Sequence, residues 1–280
     1  MTDGSAGFRK NGYPFLTFTN KSETLHQIFA DLIHFVYKVE PTAYYKAYWS
    51  KAGRKGAKAY YTNYFHRETT HQILQELLTL SPSYRTRPRR YQPWEAYLQE
   101  TPQPTINFLL ERTLPEKVAI YILRLAMSAE GSISPMFRTD SRYPYPHLTF
   151  GCKHPHLKQQ WKTFFQKQNI NLKIGKEMLE SGELATVKHF LELGGFLPGV
   201  YTRQNSYYHG IQRQSVLQAI LINRKQNPIN PQLTLAQKHA ILRKRALTFE
   251  PQNSMRTETH KNKPNPAQMG EENGSNTNPI

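Results

Sequence analysis

Two acidic residues carry the chemistry this sequence could perform. Glu130 stands in Ser128-Ala129-Glu130-Gly131-Ser132, and Asp3 stands in the opening Met1-Thr2-Asp3-Gly4-Ser5. Acid, glycine and serine follow one another in both. Glu130 closes an apolar run, Ile120 to Ala129, in which Ile122, Leu125, Ala126 and Ala129 recur at helical spacing. Thr113 and Glu116 have capping-box spacing, Pro115 suits a first turn, and Gly131 is a natural stop. An acid in the last turn of that helix faces the negative end of the helix dipole, where it is disfavoured. A bound cation would make sense of it; a solvated surface carboxylate is the ordinary alternative.

A second pair of segments strengthens the first reading. Phe15-Leu16-Thr17-Phe18 matches His147-Leu148-Thr149-Phe150. The acids are 127 residues apart (130 − 3) and the threonines 132 apart (149 − 17), so the two offsets nearly agree. Each copy continues into a turn and an apolar-periodic helix. The first carries Leu25, Ile28, Phe29, Leu32, Ile33 and Val36, and the second Leu157, Trp161, Phe164 and Phe165. Two copies of one unit, each led by an acid, imply a pseudo-twofold protein.

On these residues, Leu123 to Ser132, Asp3 to Ser5 and the two strand-turn-helix segments, the chain resembles the LAGLIDADG homing endonucleases in their single-chain, two-repeat form. The resemblance covers roughly residues 1–250. It implies an α+β fold: two pseudo-twofold-related αββαββα repeats forming a β-saddle that holds double-stranded DNA. It also implies that Asp3 and Glu130 meet at the saddle floor as catalytic metal ligands. Arg124 and Leu125 depart from the family, which has small residues there. The first motif helix is also largely missing before Asp3, and on that ground the functional protein is expected to start upstream of Met1.

The chemistry such acids would serve is phosphodiester hydrolysis, which needs an activated water and a stabilised leaving oxygen. Divalent ions supply both. Magnesium prefers oxygen ligands and keeps several waters, so one or two carboxylates plus phosphate oxygens suffice. Mg2+ is the expected cofactor. A shared metal also relieves the repulsion between two close acids.

Composition agrees with a polyanionic partner. The 280 residues carry 37 Lys+Arg against 20 Asp+Glu, a net charge of +17. Only 38% of residues are hydrophobic, but 17 Tyr, 14 Phe and 3 Trp supply bulk. No apolar run approaches the ~20 residues that span a bilayer, so no membrane partner is expected. The one cysteine, Cys152, excludes an internal disulfide and a Cys-rich zinc site. No second cluster accompanies Lys153-His154-Pro155-His156, so these read as surface histidines. No secretory leader is visible, and an intracellular setting, organellar or prokaryotic, is expected.

These elements must position the acids. Residues 1–80 form the first repeat, 81–112 a basic linker over the surface, 113–250 the second repeat, and 251–280, lacking aromatics, a disordered tail. In the first repeat the pattern gives a hairpin over 5–20 turning at Asn11-Gly12, and a helix to Tyr37 started by Asn20 and Glu23. Strands Tyr44–Trp49 and Ala57–Phe65 then flank the basic turn 51–56, followed by a helix over 68–80. In the second repeat it gives strands 132–138, 143–151, 171–174 and 183–187. Helices are expected over 155–168, 188–193, 212–223 and 235–245.

Pro82–Arg87 and Pro198–Arg203 occupy matching places, so Arg85, Arg87, Arg203 and Arg213 are candidates to support the metal or neutralise a phosphate. Plain phosphate contacts are the alternative. Lys51, Arg54, Lys55, Lys58, Arg89, Arg90, Arg138, Arg142 and Lys173 are expected to contact DNA, whose major groove admits a two-stranded ribbon. Alternate residues of 13–18, 58–64, 143–149 and 171–173 would face it. The expected activity is a monomeric, site-specific, double-strand DNA endonuclease. The rivals are a cleavage-inactive relative, such as an intron-RNA-binding maturase or a degenerate relic, and a general RNA-binding protein.

Overall fold

A computed structural model describes residues 4–251 except 9–10, 21, 42, 52–53, 65–66, 84, 204–205, 223 and 225–226, with backbone alone at 4–5, 19, 43–51, 54–64 and 67. Asp3 and the tail from residue 252 lie outside the described residues.

The first repeat starts with a hairpin, β1 (Gly4–Phe8) and β2 (Pro14–Asn20). Gly12 takes φ +77° at its turn, a conformation that suits glycine. Helix α1 (Glu23–Tyr37) follows. Its cap is Ser22 rather than Asn20: the Ser22 hydroxyl accepts from the Leu25 N–H, while the Asn20 side chain accepts from the Ser22 N–H. Strands β3 (Ala43–Lys51) and β4 (Arg54–Tyr64) reach further into the basic stretch than the turn read at 51–56. Lysine and arginine sit comfortably on a polar strand face, so charge alone does not mark a turn. Helix α2 (Arg67–Leu80) closes the repeat.

The second repeat begins with α5 (Glu116–Glu130), which runs into β5 (Gly131–Met136). Strand β6 (Tyr145–Gly151), helix α6 (Pro155–Lys167), strands β7 (Lys173–Ile174) and β8 (Met178–Ser181) and helix α7 (Leu184–Glu192) follow. Helices α8 (Arg213–Leu221) and α9 (Leu235–Thr248) complete it. The capping box expected at Thr113 does not form, for α5 starts after Pro115 without a side-chain cap. Residues 183–187, expected as a strand, are the N-cap and first turn of α7. Thr186, Val187 and Phe190 are buried there at helical spacing, and tertiary packing overrides β-branched propensity.

Both sheets are antiparallel and four-stranded, with orders β1-β2-β4-β3 and β5-β6-β8-β7. The register repeats as well. Gly4 pairs with Phe18, and Gly131 with Phe150, the same two positions under the 127- and 132-residue offsets. The fold is thus α+β with two repeats of one ββαββα topology, the second preceded by α5.

The linker differs from an irregular surface run. It forms two short helices, α3 (Trp94–Leu98) and α4 (Asn107–Leu110), and buries Tyr97 and Ile106. Gln160 of α6 accepts from the Ile106 N–H at 2.8 Å, and His154 bonds Gln103 at 2.9 Å, so the linker is fastened to the second repeat.

Burial is uneven. The second repeat packs Leu123 and Met127 of α5 with Leu148, Phe150, Phe165, Val187 and Phe190 in one continuous core. In the first repeat, Leu16 and Ile73 are buried together, with Phe29, Ile33 and Leu77 partly buried around them. The repeats meet where Leu25, Leu197 and Val200 bury one another, with Ile28 of α1 and Leu125 and Ala129 of α5 alongside. Each fully buried side chain of that size is worth about 1.5–3 kcal/mol. Arg124, on the neighbouring face of α5, donates Nε to the Gly195 carbonyl at 3.1 Å. Leu125 thus helps to fill the junction of the two repeats, while the Arg124 bond ties α5 to the loop after α7 within the second repeat.

Candidate acidic site and nucleic-acid interface

Glu130 is the last residue of α5, and three features lock that helix end. The Gly131 N–H bonds the Met127 carbonyl, and a Cβ on Gly131 would lie 2.4 Å from the same oxygen, so only glycine fits. The buried Ser128 hydroxyl accepts from the Leu197 N–H at 2.8 Å. Arg213, 8% exposed, donates Nη1 to the Ser128 carbonyl at 2.8 Å and to the Gly131 carbonyl at 2.6 Å.

That placement changes the reading of Arg213. Proposed from sequence as a basic group for metal support or phosphate, it is instead buried against the helix end. It supplies positive charge where the α5 dipole is negative. Part of the cation that Glu130 seemed to require is therefore the protein's own.

The half-buried Glu130 carboxylate lies against β6, with Oε2 3.4 Å from where a Gly151 Cβ would stand. It lines a cavity of about 160 Å³ together with Arg87, Cys152, Lys153 and His154. Burial pushes the Cys152 thiol up to about 11, so it is no thiolate nucleophile at neutral pH. His154 is not a surface residue: it is 1% exposed. Its Nδ1 accepts from the Leu157 N–H as the α6 N-cap, which leaves Nε2–H to donate to Gln103. Burial brings its pKa down to about 4, so the ring is neutral and structural. Among the described residues no group of three or more His, Cys, Asp or Glu could hold a metal ion. The Glu130 carboxylate is one oxygen ligand of the kind a hard cation takes together with water and phosphate oxygens, and it does not fit zinc; of the cationic side chains lining the same cavity, Lys153 is paired with Glu177 at 3.1 Å.

The second sheet offers a polar face. Cross-strand register sets Ser132, Thr149, Glu180 and Lys173 in one row, with Ser134 opposite His147 and Met136 opposite Tyr145 in the next rows. The opposite face carries buried Ile133, Leu148 and Phe150. His147 Nε2 bonds Glu180 at 3.1 Å across this polar face. In the first sheet Ser5 and Thr17 hold the places of Ser132 and Thr149, in line with Asn63.

The remaining basic candidates scatter. Arg87 and Arg203 are exposed, and of these only Arg87 shares the Glu130 cavity. Arg85 ion-pairs with Glu100 and lies 4.5 Å from the Tyr97 ring centre, inside the linker's own packing. Arg89 is exposed, and Arg90 covers the Tyr91 ring. Lys173 pairs with Glu183 at 3.4 Å. Arg142 is exposed, with its carbonyl accepting from the Ile229 N–H. Lys51 and Arg54 face each other across the β3–β4 end, and Lys55 and Lys58 lie on β4, placed by backbone alone. Arg138 covers the Tyr145 ring at 4.5 Å, and Arg224 stands 5.2 Å from Tyr143 and 5.3 Å from Tyr145. Arg224 escaped the sequence reading, since it follows α8 by three residues in a stretch with no periodic signal.

No protein-family model matches the chain, and no curated protein matches it. Among solved structures, the homing endonuclease I-WcaI bound to its DNA recognition sequence aligns at TM-score 0.43 and 11% identity, over 71% of this chain and 79% of that one. The LAGLIDADG meganuclease I-AabMI bound to uncleaved DNA aligns at 0.47 and 14%, over 89% and 94%. The LAGLIDADG homing endonuclease I-GzeII in complex with its DNA target aligns at 0.37 and 11%, over 69% and 81%. In structure the chain is similar to LAGLIDADG homing endonucleases, the family its sequence resembles.

Proposed function

We propose that the protein is a LAGLIDADG-type, site-specific double-strand DNA endonuclease, with Glu130 as a ligand of a catalytic divalent metal. The observation that carries this reading is Glu130 itself: a half-buried carboxylate held at a locked helix end, where β5 begins, beside Arg87 and Lys153. The acid would hold magnesium, and the metal when bound supplies an activated water and a stabilised leaving oxygen. Arg213 holds the helix end that aims the carboxylate. Asp3 is proposed as the second acid from its place in the repeat. The two sheets' polar faces would line a saddle for the DNA major groove, with Ser132, Ser134, His147, Thr149, Glu180 and Lys173 as base- or phosphate-facing residues. A monomer would suffice, because both repeats lie in one chain.

One observation favours the cleavage-inactive alternative. Arg213 already places a cation at the α5 terminus, which lessens the electrostatic need for a metal there. Incubation with a randomised duplex library in magnesium, followed by sequencing of new ends, separates the two. Recurrent cleavage at one sequence supports the endonuclease. Specific binding with no new ends, in magnesium or manganese, overturns it in favour of a binding protein.

A further inference from the structure

Among the described strands β1 to β8, one side chain is acidic: Glu180, in Met178-Leu179-Glu180-Ser181 of β8. In a chain of net charge +17, a carboxylate on a sheet face that meets DNA is out of character. Phosphate oxygens repel it, so a plain phosphate-binding surface has no use for it.

The carboxylate is also held in place. Leu179 and Ser181 are buried, which turns Glu180 to the polar side, in one row with Thr149 and Lys173. His147 Nε2 donates to Oε2 at 3.1 Å, since a carboxylate only accepts. Oε1 accepts no hydrogen bond among the described residues, and the side chain is 43% exposed. Gly175 helps to keep that oxygen uncovered, for a Cβ there would stand 3.2 Å from it.

The donors that bases present in the major groove are the N4 amine of cytosine and the N6 amine of adenine. Adenine carries its N7 acceptor beside the amine, and that lone pair repels a carboxylate. Cytosine has no acceptor beside its own amine. Lys173 pairs with Glu180 in register, one strand spacing away, about 4.8 Å. A donor at that step from an acceptor complements a C·G pair, whose guanine offers O6 and N7. The ion pair of Lys173 with Glu183, at 3.4 Å with the lysine 80% exposed, is a surface contact of little strength.

We infer that Glu180 reads one cytosine of the bound site. Oε1 accepts from N4, His147 holds the carboxylate, and Lys173 donates to the partner guanine. The inference rests on the reading of this polar face as DNA-facing and goes beyond it in naming the base pair.

The test is binding selection from a randomised duplex library in calcium, with the full chain, Glu180→Gln and Glu180→Ala. The wild type is expected to enrich cytosine about tenfold at one position. Glu180→Gln should move that position toward adenine, which an amide reads through N6 and N7, and Glu180→Ala should leave it unselective. Every other position should stay as in the wild type. A selected site in which no cytosine responds to either variant overturns the inference and leaves the DNA reading standing. Relaxation of several positions together also overturns it, since the carboxylate would then only brace the sheet. If the wild type enriches no sequence, both the inference and the reading beneath it fail.

Discussion

Arg213→Met tests the reading of the α5 terminus. Arg213 is buried, and its Nη1 serves two carbonyls, Ser128 at 2.8 Å and Gly131 at 2.6 Å. Methionine keeps much of the apolar bulk and removes both donors. A buried acceptor left unsatisfied costs about 1–3 kcal/mol, and loss of a cation from a helix C-terminus about 0.3–1 kcal/mol. The expected loss is roughly 3–5 kcal/mol. In a unit spanning Met1–Phe249, that is a fall on the order of 10 °C in melting temperature. Arg213→Lys keeps the charge on a shorter, single-point donor and should recover only part of it. Urea unfolding followed by far-UV circular dichroism gives the free energies directly. A loss below about 1 kcal/mol for Arg213→Met would refute the reasoning, because the helix end would then not depend on this guanidinium.

Three other outcomes follow from the same geometry. Gly131→Ala forces a methyl group to 2.4 Å from the Met127 carbonyl. It should cost about 1–3 kcal/mol by overpacking, read as a lowered urea midpoint. His154, neutral in the fold with its pKa near 4, binds its proton more readily when unfolded, where the ordinary value is about 6.5. Its contribution is therefore full above that value and falls as pH drops toward 4, by about 2 kcal/mol between pH 7.5 and 5. His154→Asn, which keeps a cap acceptor, should remove that dependence in paired urea titrations. Finally, with a net charge of +17, log affinity for duplex DNA should fall with log salt by about 0.9 per phosphate neutralised. A flat salt dependence in anisotropy titrations would count against a phosphate-contacting surface.

Much of the architecture is legible in the sequence because it is written twice. The offsets of 127 and 132 residues map the Gly4–Phe18 pair onto Gly131–Phe150, and the latter offset carries Ser22 onto His154. An acid followed by Gly-Ser marks the helix-to-strand junction, since Gly131 must lack a Cβ there. What escapes is whatever depends on contacts distant in sequence. Thr186 and Val187 favour a strand locally, and only burial beside Phe190 makes them helical. Strand β8 is four residues without a β-branched side chain and is defined by its pairing with β6 and β7. Arg213 reads as one more basic residue, and its partner carbonyls lie more than 80 positions away. His154 looks exposed between Lys153 and Pro155, yet the linker covers it through Gln103, 51 positions away.

The central claim rests on the Glu130 carboxylate, and Glu130→Gln isolates it. The amide keeps the shape and removes the charge that holds a divalent ion. With a duplex selected by binding, wild type and variant are compared for affinity in calcium and for strand cleavage in magnesium. The account predicts equal binding within about threefold, cleavage by the wild type that a chelator stops, and no cleavage by the variant. A variant that cuts at the wild-type rate would contradict it.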